Sequence, residues 1–191
     1  MDTGKGSALS VFRWLVLVAW VGLILACLYL AIGVPSGALN ARLVRPWVGV
    51  GLWNSGLALG ISWESLAPSQ WSSFCLSVGI WSLAGTILVL IAVDQVRRIV
   101  GGASDKSPFT AANARRVKIA GIAVVCAATA KAFRDLAFAH FITSNVKVPG
   151  IQIGYVSDLG LSTAFLGLMI LAVAEVMRHG VKLQEDQDLT V

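Results

Sequence analysis

The sequence predicts an all-α integral membrane protein, a bundle of four transmembrane helices with a small extracytoplasmic β-hairpin or sheet. Composition is the first reason: 57% of the 191 residues are hydrophobic and only 13% are charged, whereas an ordinary soluble domain is about 25% charged. The second is that the apolar residues form long runs with the charges between them. A water-soluble fold of this size would expose much of that apolar surface, so we expect lipid to solvate it.

Four apolar runs predict the spans of a single membrane domain. Each has about 20 residues or more, the length that a helix needs to cross a bilayer. A cleaved secretory or lipoprotein signal is the alternative for the first run, but that run is long for a signal and lacks an Ala-x-Ala end. The expected spans are 12–32, 74–93, 117–142 and 159–177, with outer loops 33–73 and 143–158, a cytoplasmic loop 94–116 and a tail 178–191.

The two outer loops predict the sheet. In the first loop, apolar residues alternate with small ones on both sides of Asn54-Ser55-Gly56, which is typical of a hairpin. Around Pro149-Gly150 in the second loop, a similar alternation predicts an added edge strand. Indole rings favour the membrane interface, and four tryptophans surround the first loop's pattern: Trp47, Trp53, Trp63 and Trp71.

The distribution of basic residues predicts the orientation. With both termini in the cytoplasm, ten of the fifteen Lys and Arg residues lie on that side, as the positive-inside rule requires. These charges lie between apolar runs instead of gathering on one surface, so we expect no direct nucleic-acid binding. The ten are Lys5, Arg13, Arg97, Arg98, Lys106, Arg115, Arg116, Lys118, Arg178 and Lys182.

Three charged residues, Lys131, Arg134 and Asp135, lie within the third expected span. Lys131 and Asp135 are four residues apart and share a helix face, so we expect them to pair. Ionisable groups at membrane depth are costly and favour a functional site, here an outward-facing pocket for an anionic ligand or a lipid headgroup. The alternative is that the span ends near Ala130 and these side chains reach the wet headgroup region.

The sequence predicts neither an enzyme nor a metal or cofactor site. By the expected topology, His140 and His179 lie on opposite sides of the membrane and cannot hold one metal or haem together. The glycines Gly101-Gly102 do not fit a phosphate loop, which needs Gly-x-x-x-x-Gly-Lys. A specific Ser-His-Asp set cannot be assembled on one side.

Two stretches, 107–121 and 174–191, resemble a bacterial family. The first reads SPFTAANARRVKIAG and the second AEVMRHGVKLQEDQDLTV. In order and spacing they are similar to motifs of the four-span membrane proteins of unknown function that include Bacillus YoaS. His179 and Asp186 depart from the pattern, which more often has Arg and Glu there. The resemblance implies a protein of the bacterial inner membrane with four spans.

Members of this family are often encoded beside a Cro-like helix-turn-helix regulator. The resemblance therefore implies a regulatory or sensory membrane protein that binds such a regulator in the cytoplasm. The partner-binding candidates in the two stretches are Phe109, Asn113, Arg115, Arg116 and Arg178.

A lipid- or small-molecule-binding or transport protein is the alternative function, with Lys131, Arg134 and Asp135 in its pocket. We expect membrane lipids as partners in either case. Glycines in the expected spans allow close helix packing, which leaves a homo-oligomer open. They are Gly79, Gly85, Gly121 and Gly167.

Overall fold

Four long helices make up nearly all of the computed structural model, which describes residues 3–39, 49–51, 58–60, 68–102, 110–145 and 160–188. The helices are α1 (Thr3–Leu39), α2 (Pro68–Gly102), α3 (Ala111–Asn145) and α4 (Leu161–Asp188). The strands are β1 (Gly49–Gly51) and β2 (Ala58–Gly60). Both α2 and α4 continue well beyond the apolar runs, into the expected cytoplasmic loop and tail.

Within the described residues, three helices, not the predicted four, are long and apolar enough to cross a membrane. The candidate spans are Ser10–Pro35, Ser72–Gly101 and Leu161–Gln184. The exception is α3, which carries six charged side chains in two groups, one at residues 115–118 and one at residues 131–135. Its uncharged stretch, residues 119–130, covers only about 18 Å at 1.5 Å per residue, against about 30 Å for a hydrocarbon core. The predicted count of four spans is wrong because the third apolar run is interrupted by these charges.

The helices pack as an open row in chain order. Within the described residues, α1 contacts α2, α2 contacts α3 and α3 contacts α4, and no other helix pair is in contact. Neighbours run antiparallel: Phe74 near the start of α2 packs on Phe141 near the end of α3, with ring centroids 4.6 Å apart. The predicted closed four-helix bundle is therefore corrected to a row in which α3 lies between α2 and α4.

The predicted sheet is also corrected, since the described chain is all-helical apart from one short antiparallel ladder. The ladder pairs Gly49 with Gly60, Val50 with Leu59 and Gly51 with Ala58. Both strands come from the first outer loop, so within the described residues a two-stranded ladder replaces the predicted sheet of both loops. Glycine and alanine offer almost no side chain to pack, which limits such a ladder. The residues expected to form the turn (52–57) and the third strand (146–159) lie outside the described residues.

Alanine dominates the buried positions of α3. Six of its alanines are buried, together with Ala92 of α2 and Ala174 of α4. Small side chains let helix backbones approach closely, which drives helix packing in lipid. Large apolar side chains instead point outwards on α1 and α4, where Tyr29 and Val176 are each 71% exposed. The buried alanines are Ala114, Ala120, Ala123, Ala127, Ala128 and Ala130.

Two glycines set the crossing of α3 and α4. A Cβ atom added at Gly167 would lie 2.9 Å from the backbone nitrogen of Val125 and 3.2 Å from the carbonyl oxygen of Gly121. A Cβ added at Gly121 would lie 2.8 Å from Cγ of Leu171. Any side chain at Gly167 would therefore push the two backbones apart.

Candidate functional site

Arginines from α1 and α3 cap the end of α2. Arg13 Nη2 donates to the carbonyl oxygens of Val100 at 3.3 Å and of Gly101 at 3.4 Å. Arg116 Nη1 donates to the carbonyl oxygen of Arg98 at 3.4 Å. The last carbonyls of a helix lack intrahelical partners and carry its negative dipole end, so cations stabilise them. We call this end of the row, where α1 and α3 begin and α2 and α4 end, the basic end.

The arginines of α2 at the basic end are held by local partners. Asp94 accepts a hydrogen bond from Arg97 Nη2 at 3.1 Å and one from Arg98 Nε at 2.7 Å. The guanidinium of Arg97 also lies 4.4 Å from the ring centroid of Trp20, within the range of a cation–π contact. Both arginines thus pair within α2, and Arg97 also contacts α1 through Trp20.

A cleft of about 570 Å³ opens between α3 and α4 at the basic end. Five of its lining residues are charged: Arg115 and Lys118 of α3, and Glu175, Arg178 and Lys182 of α4. Four cations and one carboxylate leave the lining with a charge of +3. The other five lining residues are apolar: Ala111, Ala114, Leu171, Ala174 and Val181. We call this site the α3–α4 cleft.

The single carboxylate of the α3–α4 cleft is occupied by cations of its own helix. Arg178 Nε donates to both carboxylate oxygens of Glu175 at 3.1 Å, and His179 Nε2 lies 3.3 Å from one of them. In the part of the chain that the structure describes, Arg115, Lys118 and Lys182 form no ion pair. Three cations of the cleft thus lie outside any ion pair among the described residues, and Glu175 is near enough to Lys118 to attract it across the cleft.

The structure brings only two of the five predicted partner-binding residues into the cleft, Arg115 and Arg178. Asn113 is buried, and its Oδ1 accepts a hydrogen bond from Arg116 at 3.3 Å, so both belong to the junction of α2 and α3. Phe109 lies outside the described residues. Thr110 caps α3, since its Oγ1 accepts a hydrogen bond from the Asn113 backbone N–H at 3.2 Å.

Sequence reasoning missed Lys118, Glu175 and Lys182 as residues of this site. The signal was available as helical spacing: Lys118 is three residues after Arg115, and Glu175 and Lys182 lie three before and four after Arg178. Residues at these spacings share a helix face. Spacing alone does not indicate that the charged face of α3 and the charged face of α4 oppose each other.

Neighbouring arginines on α3 have different roles, and this predicts different effects on stability. We expect Arg116→Gln to lower the free energy of unfolding by about 1 kcal/mol, because the hydrogen bonds to Arg98 and Asn113 are lost. Arg115→Gln is the matched control and should change it by less than about 0.5 kcal/mol. Chemical denaturation of both variants in detergent, followed by circular dichroism, measures the difference. An equal loss for both variants would contradict the assignment.

The second predicted cluster forms a compact ion triad on α3. Lys131 Nζ lies 3.1 Å from one carboxylate oxygen of Asp135, and Arg134 Nη2 lies 2.8 Å from the other. The predicted pairing of Lys131 with Asp135 is confirmed. Asp135 is only 7% exposed, so both cations compensate a carboxylate that is largely removed from water.

The predicted pocket around the triad stays a prediction, because most of the two outer loops that would cover it lies outside the described residues. A second cleft of about 450 Å³ opens between the start of α2 and the end of α3, where its polar lining includes Ser73, Ser77, His140 and Asn145. Neither this cleft nor the α3–α4 cleft is lined by a member of the triad. The triad begins one turn beyond Ala128, which Gly160 approaches just before α4.

Three apolar helices of membrane-spanning length, with a cationic cleft at one end of the row, define a membrane-spanning helical protein. Residues 62–191 match the model of a family of proteins of unknown function, DUF2975. This match covers more than half of the chain, so the protein belongs to that family. The predicted membership of a family of unknown function is confirmed, whereas the likeness to Bacillus YoaS stays a prediction. Comparisons with curated proteins and with solved structures found no match.

Proposed function

We propose that this protein is a non-enzymatic regulatory protein of the bacterial inner membrane that docks a small cytoplasmic helix-turn-helix regulator at the α3–α4 cleft. One observation carries the proposal. The two stretches that resemble the family, 107–121 and 174–191, are distant in the chain but supply opposite walls of one cleft. Ten residues line that cleft, and nine of them come from these two stretches.

The contacts at the basic end support a cytoplasmic position for both termini. Arg13 near the start of α1 reaches the end of α2, and Lys182 near the end of α4 lines the same cleft as Ala111 at the start of α3. The beginning and the end of the described chain therefore lie at one end of the row, because α3 runs back between α2 and α4 although it is not among the candidate spans. Lys and Arg concentrate there, and such residues favour the cytoplasmic side of a bacterial inner membrane.

The charge of the cleft indicates the surface that a partner would present. Arg115 has no counter-charge among the described residues and is exposed, so an acidic patch on the regulator would pair with it. The alanine and leucine side chains between the cations would receive an apolar anchor from the same patch. Complementary charge raises the association rate and selects the partner, while the apolar contact contributes affinity.

A charge reversal tests the docking site. We expect Arg115→Glu to reduce co-purification of a co-expressed Cro-like helix-turn-helix regulator by at least about tenfold, because like charges would then oppose each other. Arg98→Glu is the matched control: Arg98 also lies at the basic end, but on α2 and outside the cleft lining. Pull-down from detergent extracts, with the membrane level of each variant measured alongside, gives the comparison.

The control separates a local site from a general charge effect. Normal co-purification with Arg98→Glu and loss with Arg115→Glu would support docking at the cleft. Undiminished co-purification with Arg115→Glu would contradict the proposal. Equal loss with both variants would also contradict it, because the regulator would then respond to the net charge of this end of the protein.

A further inference from the structure

We propose that the α3–α4 cleft binds the phosphate-bearing headgroup of an anionic phospholipid. This site goes beyond the docking of a protein partner and does not rest on it. The inference starts from the charge of the lining, which is +3 from Arg115, Lys118, Arg178 and Lys182 against Glu175. Because the cations of the lining outnumber its carboxylate by three, they repel one another, and an anion between them reduces that repulsion.

The chemistry of the cations fits a phosphate group. The guanidinium of Arg115 can donate two parallel hydrogen bonds to phosphate oxygens, and the ammonium groups of Lys118 and Lys182 act as compact point charges. Ala111, the first residue of α3, also lines the cleft. The positive dipole end of a 35-residue helix is therefore directed towards the same space.

The apolar lining favours a lipid over a soluble anion. Leu171 and Ala174 form part of the cleft wall and lie nearer the middle of the candidate span Leu161–Gln184 than Arg178 and Lys182, which line the same cleft. The cleft therefore extends from the charged end of this span towards its apolar middle, where a soluble phosphate would gain nothing from apolar contact. A phospholipid presents an acidic phosphate directly above apolar glycerol and acyl carbons, in the same order. Basic pockets between membrane helices are known to hold such headgroups.

Size and access are consistent with this ligand. A volume of about 570 Å³ lies within the range of about 300–1,000 Å³ that small-molecule sites occupy. Val173 and Val176, beside the cleft wall on α4, are exposed apolar residues that face the surroundings of the row. A lipid in the surrounding bilayer would reach the cleft along this side of α4 without leaving the membrane.

Lipid binding by the purified full-length protein tests the inference. The probes are phosphatidylglycerol, phosphatidylcholine and inorganic phosphate, each added to protein in neutral detergent, with bound lipid counted by native mass spectrometry. We expect phosphatidylglycerol to bind at least about tenfold more tightly than phosphatidylcholine, since charge selects it. Lys118→Gln combined with Lys182→Gln should lower the affinity for phosphatidylglycerol about tenfold, whereas Arg98→Gln should change this affinity less than about twofold.

Each part of this experiment has a result that would contradict the proposed lipid site. Equal binding of the two lipids would do so, and so would an unchanged affinity in the double variant. If millimolar inorganic phosphate displaced bound phosphatidylglycerol as effectively as added lipid does, the cleft would be a site for soluble anions instead. Should the double variant unfold, the wild-type protein decides: its phosphatidylglycerol affinity must fall steeply with added salt, and a salt-independent affinity refutes the inference.

This experiment is independent of the regulator. It contains no protein partner, and it changes Lys118 and Lys182 instead of Arg115, the residue on which the docking test relies. Lipid binding with no effect of Arg115→Glu on co-purification would therefore leave the lipid site standing while the docking proposal falls. The reverse pattern would leave the docking proposal and remove the lipid site.

Discussion

Gly167→Ala is expected to lower the free energy of unfolding by about 1–3 kcal/mol, the usual cost of forcing extra volume into a packed contact. The added Cβ atom would meet the backbone nitrogen of Val125 at 2.9 Å and the carbonyl oxygen of Gly121 at 3.2 Å. A flexible side chain could turn away from such a contact, but a helix backbone cannot. We therefore expect α4 to move away from α3, with loss of the tight crossing.

Gly180→Ala is the matched control because it makes the same change on the same helix. Nothing lies within 4 Å of a Cβ atom at Gly180, so this variant should gain up to about 1 kcal/mol from the higher helix propensity of alanine. Denaturant unfolding in detergent, followed by circular dichroism, measures both variants. A lower free energy of unfolding for Gly167→Ala together with a higher one for Gly180→Ala would support the close crossing at Gly167. A stabilising effect of Gly167→Ala would contradict it.

Asp135→Asn is expected to destabilise the protein by about 2–3 kcal/mol, because it removes a buried carboxylate that pairs with both Lys131 and Arg134. The acid is 7% exposed, and its loss leaves two cations side by side in a partly buried place. Glu175→Gln is the control: Glu175 also pairs with an arginine, but its side chain is 52% exposed. Exposed pairs contribute at most about 1 kcal/mol.

A second substitution makes the prediction for Asp135 specific. Combining Asp135→Asn with Arg134→Gln also removes one of the two cations that paired with Asp135, so the double variant should recover part of the lost stability. The same unfolding measurement in detergent compares the single and double variants. Similar losses for Asp135→Asn and Glu175→Gln, or no recovery in the double variant, would show that the triad adds little to stability.

Hydropathy located three of the four helices as membrane spans but was wrong about α3. The run from 117 to 142 has the length of a span, but it contains Lys118, Lys131, Arg134 and Asp135. The charges of α3 lie in two groups with only twelve uncharged residues between them, and α2 and α4 cover its sides. A one-dimensional profile cannot show that neighbouring helices shield a helix from its surroundings.

The site was predicted only in part for a related reason. Local rules were sufficient for the pairing of Lys131 with Asp135 and for the Thr110 cap, since each depends on residues within one or two turns of a single helix. The different roles of Arg115 and Arg116 depend on what lies beside α3. Arg115 faces α4, whereas Arg116 reaches the end of α2. The two side chains point in different directions because one step along a helix turns a side chain by about 100°.

Composition, apolar runs and charge spacing alone determined that this chain is helical and suited to a membrane, because those properties depend on how each segment is solvated. They also located the two stretches that carry the family resemblance. The tertiary structure decided that the helices form an open row, that Gly121 and Gly167 bring α3 against α4, and that the two stretches share a cleft. These outcomes depend on contacts between residues far apart in the chain, and no local pattern in the sequence encodes which faces meet.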